Sequence, residues 1–317
     1  MERQSTQVLG IDENGLGPRM GPLLVTGVLG ICHPSLSEIL TPAPAITTPL
    51  GDSKVLVSFR DSRLGETWAR ALLARNGAKP DCPHDALLAL LLETPEELRA
   101  PCPPDHLDLC WATDNEAFEA SDHQVDQAQR DLDGLAQSGL EIESAHAMVV
   151  CPSRLNTALT EGRSRLLEDL HAMERLIVDA RTRCKQDLVA TCGKVGGFDR
   201  YGPHLGPLGG HPRTAVEEGR ALSRYRIADI GEVSFVRNAE ANHPLVALAS
   251  LIGKWIRDFF MRRIIRYHRS VDRSLPMASG YQDPVTARFL SQSASSRLAR
   301  GVPDRCVERR TARSSSR

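Results

Sequence analysis

The sequence predicts an α/β fold: a mixed five-stranded sheet flanked by helices, with an acidic insertion and a C-terminal helical extension. Three patterns point there. The chain opens on two β-rich apolar runs joined by a glycine-rich turn. Later apolar runs of strand length alternate with longer stretches whose apolar residues recur at helical spacing. The resulting order, three strands, a helix, two strands and a helix, packs as a sheet covered by helices.

The first run, Val8 to Ile11, delivers two adjacent carboxylates, Asp12 and Glu13, and a turn holding Gly15, Gly17, Pro18 and Gly21 follows at once. Residues 23–31 form the second run. Two acids at a strand end beside open backbone are what a hydrolase needs to hold a divalent cation against a phosphate. The competing reading is a β-hairpin with a polar turn. A Pro/Thr-rich connection covers 34–50 and leads into Gly51-Asp52-Ser53-Lys54. Residues 58–75 read as an amphipathic helix with Leu64, Trp68, Leu72 and Leu73 on one face. Residues 76–138 carry prolines at 80, 83, 95, 101, 103 and 104 and short helical patterns over 86–92 and 115–136. A third strand is expected over 142–151 and a long helix over 156–181, where Leu159, Leu166, Leu170, Met173 and Ile177 share a stripe. Strands four and five fall at 187–192 and 230–236. Pro244 opens a further helix at a favourable first-turn position. Beyond Arg273 the chain reads as loop and short helix, fraying at 314–317. Residues 1–75 with 139–270 thus form one unit, 76–138 an insertion and 271–317 a basic extension.

Composition bounds the function. Hydrophobic content of 41% and charged content of 25% are ordinary for a globular protein. No apolar run approaches the ~20 residues of a membrane span, and the polar start is no signal peptide, so a cytoplasmic protein is expected. Eight cysteines without a CxxC pair suit reduced thiols. The net charge of −1 conceals an asymmetry. Residues 76–134 hold fourteen acids against three bases, whereas 257–317 hold fourteen arginines against five acids. An arginine-rich end is the footprint of a nucleic-acid binder, although charge runs are more often solvated faces.

GIDENGLGP followed by GPLLVTGV resembles the opening of ribonuclease HII, the type 2 ribonuclease H, whose first strand ends in an Asp-Glu pair before a Gly-Arg-Gly turn. GDSKVL at 51–56 is similar to that family's Asp-Ser-Lys element. AEANHPLVALASLIGKWIRDFFM at 239–261 is similar to its helix carrying an acid, Pro, Ala-Ala-Ser, Lys and Arg-Asp. SGYQDPVTARFL at 279–290 resembles a Gly-Tyr-Pro-x-Asp-Pro segment. The four motifs stand in the family's order; residues 76–138 lie outside them. The resemblance implies an RNase H-like fold and an endonuclease that cleaves the RNA strand of RNA–DNA hybrids, or at embedded ribonucleotides, with Mg²⁺ or Mn²⁺. Asp12, Glu13 and Glu240 are the implied catalytic residues and metal ligands, Glu240 standing where the family usually has Asp. Gly15 and Gly17 would read the ribose 2′-hydroxyl through backbone groups, Lys54 would contact phosphate, and Tyr281 would stack on a sugar.

Two positions depart from the family. Leu16 replaces the arginine of the turn, with Arg19 as a substitute phosphate contact. The acid due at the end of the fourth strand is missing, its place taken by Cys192 or Gly193; Asp179 and Asp199 are weak replacements. A catalytically impaired relative that binds hybrid or duplex is therefore the alternative function. Other chemistry is weaker. Cys82, His84, Cys102, His106 and Cys110 match no common zinc-finger spacing. GLGPRMG lacks the dinucleotide GxGxxG spacing and precedes a strand. An actin-like ATPase would need further phosphate loops, which the sequence lacks. The glycine-rich string at 194–202 has no assigned chemistry.

Overall fold

A computed structural model of the protein describes residues 5–33, 47–59, 61–104, 108–113, 116–184 and 186–311. Much of the Pro/Thr-rich connection, His106, Asn115 and the expected frayed end lie outside the described residues.

The sheet is mixed and seven-stranded, in the order β3-β2-β1-β4-β7-β6-β5. Its strands are β1 (Thr6–Asn14), β2 (Leu23–Cys32), β3 (Leu140–Val150), β4 (Leu188–Gly193), β5 (Arg213–Glu218), β6 (Leu222–Ile227) and β7 (Gly231–Val236). β1 and β2 pair antiparallel, as the opening glycine turn requires, and β3 extends the pair on the far side of β2. β4 and β7 run parallel to β1 on its other side. The carboxyl ends of β1, β4 and β7 therefore point to one edge of the sheet, where open α/β sheets place their ligands.

The expected five strands are corrected to seven. The additions, β5 and β6, form a hairpin before β7. All six residues of β5 are exposed. An edge strand with both faces in water carries no apolar alternation to betray it.

The helices are α1 (Ser53–Leu56), α2 (Arg63–Arg75), α3 (Pro83–Leu90), α4 (Pro95–Arg99), α5 (Asp108–Trp111), α6 (Asp122–Gln137), α7 (Pro152–Thr160), α8 (Arg165–Arg183), α9 (Ala239–Asn242), α10 (Pro244–Arg269), α11 (Pro284–Gln292) and α12 (Ala294–Ala299). The single helix expected over 156–181 is two, α7 and α8. Gly162 takes φ +82°, which ends the first helix, and the Ser164 hydroxyl accepts from the Leu167 amide to start the second.

One core lies between the sheet and α10, with Trp68, Leu72, Leu132, Leu248, Ile252 and Trp255 packed on Leu24 and Val28. Helices α3 and α6, from the acidic segment, contribute Leu87, Leu90, Val125 and Leu135 to it. The second core lies on the opposite face, where Leu170, Met173 and Ile177 of α8 meet Leu9, Ile11, Val25 and Cys192. A Cβ at Gly10 would fall 2.5 Å from Leu245 backbone and side-chain atoms, so β1 can touch α10 directly only because that residue is glycine. A third cluster gathers Met20, Met261, Ile264, Phe289 and Val307 and fastens the C-terminal segment to the body. Among the described residues no helix is long and apolar enough to cross a membrane.

Candidate active site

β1 carries Asp12 and Glu13 to the shared strand edge. Ile11 pairs with Cys192 of β4, so Gly193 is the β4 residue beside the two acids. β7 ends at Val236, and the short helix α9 brings Glu240 in from that side. α1 brings Lys54, whose Nζ lies 3.5 Å from Glu240 Oε1. Asp12, Glu13, Glu240 and Lys54, far apart in sequence, are thus brought together.

Asp12 is only 7% exposed. Burial, then the charge of Glu13, pushes its carboxyl well above the usual carboxylate range, against a hydrogen bond from Ser250. Ser250 in turn shares a 2.8 Å hydrogen bond with Ser53 Oγ, which ties α10, α1 and β1 together behind the acid. Burial also pushes Glu13 up to about 7, against its own backbone amide and Lys54, with Glu240 adding to the rise. Burial works against charge on Lys54, yet Glu240, Asp52, Asp12 and Glu13 outweigh it and hold that ammonium above its ordinary value.

The β4 position due to carry an acid is Gly193. A Cβ there would lie 2.9 Å from Asp12 Oδ1 and 3.4 Å from Glu13 Oε2. The absence of a side chain leaves a cradle that both carboxylates face. Neither proposed substitute fills it: Asp179 is paired with Arg183, and Asp199 lies 3.5 Å from Lys194.

Another acid approaches instead. Asp169 of α8 is fully buried, and neither of its oxygens has a hydrogen-bond partner. Burial, then the charges of Glu13 and Asp12, holds its carboxyl well above the usual range. A buried carboxylate without a partner is costly. Asp169 was missed by the sequence reading because it lies in a helix rather than at a strand end. It does leave a signal: it falls three residues after Leu166 and four before Met173, on the apolar stripe of α8, where an acid is out of place.

The carboxylates do not close on one point as they stand. Among the described residues no group of three or more His, Cys, Asp or Glu is drawn together to hold an ion. The donor chemistry nonetheless fits a hard divalent cation: oxygen ligands, two of them orphaned on Asp169, around a cradle open at Gly193.

The glycine turn forms the neighbouring wall. Gly15 adopts φ +88°, and a side chain there would run into Arg257. Nothing lies within 4 Å of a Cβ at Gly17, which leaves that backbone open. The buried Arg309 guanidinium donates to the carbonyls of Gly15 at 2.6 Å and Gly21 at 2.7 Å, clamping the turn from the far end of the chain. Arg19 and Met20 amides donate to Gly280, which sets Tyr281 beside the turn. Tyr281 is 44% exposed and covers the buried Arg257 guanidinium, 4.9 Å from its ring centroid. Arg19 does not substitute for the turn's missing arginine, since it pairs at 2.7 Å with Glu308. Much of the expected C-terminal basic footprint is likewise spent inside the protein, with Arg257, Arg263, Arg297 and Arg309 buried.

Cys82 donates to Asp85 at 3.2 Å and His84 sits against Arg263, so the five-residue zinc grouping does not assemble among the described residues.

No protein-family model matches the chain, and no curated protein matches it. Solved structures do. The chain is similar to RNase HII in its complex with PCNA from Archaeoglobus fulgidus, at 17% identity and TM-score 0.41 over 96% of this chain and 94% of that one. It is similar to ribonuclease H2 from Pyrococcus horikoshii, at 17% identity and TM-score 0.43 over 98% and 96%. It is also similar to Bst-RNase HIII in complex with Mn²⁺, at 10% identity and TM-score 0.39 over 92% and 71%. These neighbours are type 2 ribonucleases H, at low identity. At such TM-scores the likeness carries no functional weight, which rests on the cleft's own residues.

Proposed function

We propose that the protein is a metal-dependent endonuclease that cleaves the RNA strand of RNA–DNA hybrids, or DNA at embedded ribonucleotides. The observation that carries this reading is the set of buried acids at the converging ends of β1, β4 and β7, for which Lys54 is the one nearby cation among the described residues. Asp12, Glu13, Glu240 and Asp169 would hold Mg²⁺ or Mn²⁺. A hard divalent ion bound there supplies Lewis-acid polarisation of a phosphoryl oxygen and offsets the charge that builds on phosphate.

The chain's own groups do the rest. Lys54, 79% exposed in its side chain, reaches from the acids into solvent and would take a non-bridging phosphate oxygen. The backbone of the turn, open at Gly17 and held in place at Gly15 by Arg309, would meet the ribose 2′-hydroxyl, a group that distinguishes RNA from DNA. Tyr281, held over Arg257, would stack on the neighbouring sugar. Residues 76–138 are proposed as an insertion on this unit and 271–317 as an extension that clamps the turn through Arg309.

A second reading is a hybrid-binding relative without activity, favoured by the empty Gly193 position. A duplex carrying one ribonucleotide, incubated with the protein and Mn²⁺ or Mg²⁺, separates the two. Nicking at the ribonucleotide supports the nuclease. Retained hybrid binding with no nicking in either metal favours the second reading, and absence of both overturns each.

A further inference from the structure

The strand-end edge that carries the acids does not stop at β7. β6 starts beside the end of β7, with Leu222 registered on Val236, and β5 ends beside the start of β6, with Glu218 registered on Ser223. The turn between them, residues 219–221, therefore continues the row Asp12, Gly193, Val236 along one edge. Backbone bonds carry the ladders to the rim: the Lys194 amide donates to the Val236 carbonyl at 3.0 Å, and the Arg237 amide to the Ala221 carbonyl at 2.9 Å. With neighbouring strands about 4.8 Å apart, Arg237 lies roughly 10 Å along this edge from the end of β1, and Arg220 roughly 15 Å.

β5 is exposed throughout and adds little to the cores, yet the tip of its hairpin is held firmly. Lys194, the residue after Gly193, has a side chain only 9% exposed; its ammonium donates to the Gly219 carbonyl and, at 3.1 Å, to Ser223 Oγ. The Tyr225 hydroxyl donates to Glu218 at 2.5 Å and accepts from the Tyr201 amide at 2.8 Å. The acids of the tip are engaged: Glu218 also faces Arg200 at 3.6 Å, Asp199 faces Lys194 at 3.5 Å, and Glu217 stands opposite Arg224 in the ladder. Arg220 and Arg237 are not. Both are exposed, and among the described residues neither guanidinium has a hydrogen-bond or ion-pair partner. Arg237 stands three residues before Glu240, where Asn238 at φ +55° turns the chain into α9, but the ion pair with Glu240 is left to Lys54. Several of the C-terminal arginines that composition singled out are buried, so the free positive charge beside the cleft sits on this hairpin side instead.

We propose that the β5–β6 tip is a phosphate-binding ledge, on which Arg220 and Arg237 hold the backbone of one arm of the bound duplex. At about 3.4 Å of rise per base pair, the two arginines meet phosphates roughly three to five base pairs from the reacting one. A guanidinium presents its donors in a planar fork that matches phosphate oxygens, and such contacts fix register and orientation without reading sequence. The glycine turn and Tyr281 lie on the β1–β2 side of the acids, so the ledge serves the opposite arm. The identity of the occupant rests on the nuclease reading; the ledge itself is tested by binding alone.

The test is binding of the full chain to a DNA duplex carrying a single ribonucleotide, followed by fluorescence anisotropy across a salt series in EDTA, so that metal and cleavage play no part. Arg220→Gln combined with Arg237→Gln should flatten the dependence of log affinity on log salt by roughly one for each arginine. Arg226→Gln, which removes an exposed arginine at the opposite end of β6, should leave that slope unchanged. Two further duplexes are cut back to about two base pairs on one side of the ribonucleotide or the other, short of the ledge on one side. On one of them the wild type and the double variant should bind alike. A double variant with the wild-type slope, an Arg226→Gln slope that falls as far, or a difference that survives both truncations would overturn the ledge and leave the nuclease reading to the nicking assay. Wild-type protein that binds no such duplex at any salt would overturn the ledge and that reading together.

Discussion

Arg263 and Asp169 are both buried, yet the protein treats the two charges in opposite ways. Arg263 Nε donates to Glu116 Oε1 at 2.8 Å, its other nitrogens reach the Cys110 carbonyl at 3.1 Å and His84 at 3.2 Å, and a second bond goes to Glu116. Burial would raise the Glu116 carboxyl, but Arg263 and Arg266 more than compensate and hold it below its usual range. Asp169, in contrast, has no partner for either oxygen and two further acids close by. A paired buried charge is architecture. An unpaired acid next to two others is a cost, which a divalent cation held between them would offset.

The sharpest way to break that contrast is Asp12→Asn, which should abolish nicking of a ribonucleotide-containing duplex while circular dichroism shows the fold intact. Glu116→Gln should act on stability instead: it leaves Arg263 buried against a neutral partner and should cost about 3–5 kcal/mol in denaturant melts, with metal affinity unchanged. Asp169→Asn should do the reverse, leaving or raising stability without metal. Its Mn²⁺ affinity by titration calorimetry should fall roughly 10–100-fold, the range for groups that shape a metal site.

A pH series sharpens the same contrast. Glu13 has a folded value of about 7, above its unfolded value of about 4.3. Between those two values the native state binds more protons than the unfolded chain, so metal-free stability should fall as pH rises through that window. Glu174, whose carboxyl accepts from the Gly206 and Leu208 amides, is raised to about 7 by its own burial. The scan therefore belongs in a Glu174→Gln background. Adding Mn²⁺ should reverse the slope, because the ion binds the deprotonated acids. The smallest effect is expected for Asp179→Asn, on an ion pair of α8 away from the cleft; melting should move it within about 0.5 kcal/mol and leave Mn²⁺ affinity unchanged.

Much of this was legible in the chain itself. The Asp12-Glu13 pair and the glycines after it are local signals, and β1 and β2 appear where they put them, as α10 does after Pro244; the short helix α1 over the Asp-Ser-Lys string was not expected. Glu240 was legible through its distance from Ser250, although it lies in the short α9 rather than at a strand end. What escaped is non-local. Asp169 belongs to the cleft only because α8 packs across β1 and β4, and no spacing in sequence encodes that crossing. The β5–β6 hairpin escaped for the opposite reason, since β5 is exposed on both faces and its pattern is that of a loop.

The most direct measurement is anomalous scattering from crystals grown with Mn²⁺. A manganese peak is expected at the shared ends of β1, β4 and β7, between Asp12, Glu13 and Glu240, with the Asp169 carboxylate turned toward it. Crystals soaked at saturating Mn²⁺ that show no peak at those strand ends would contradict it.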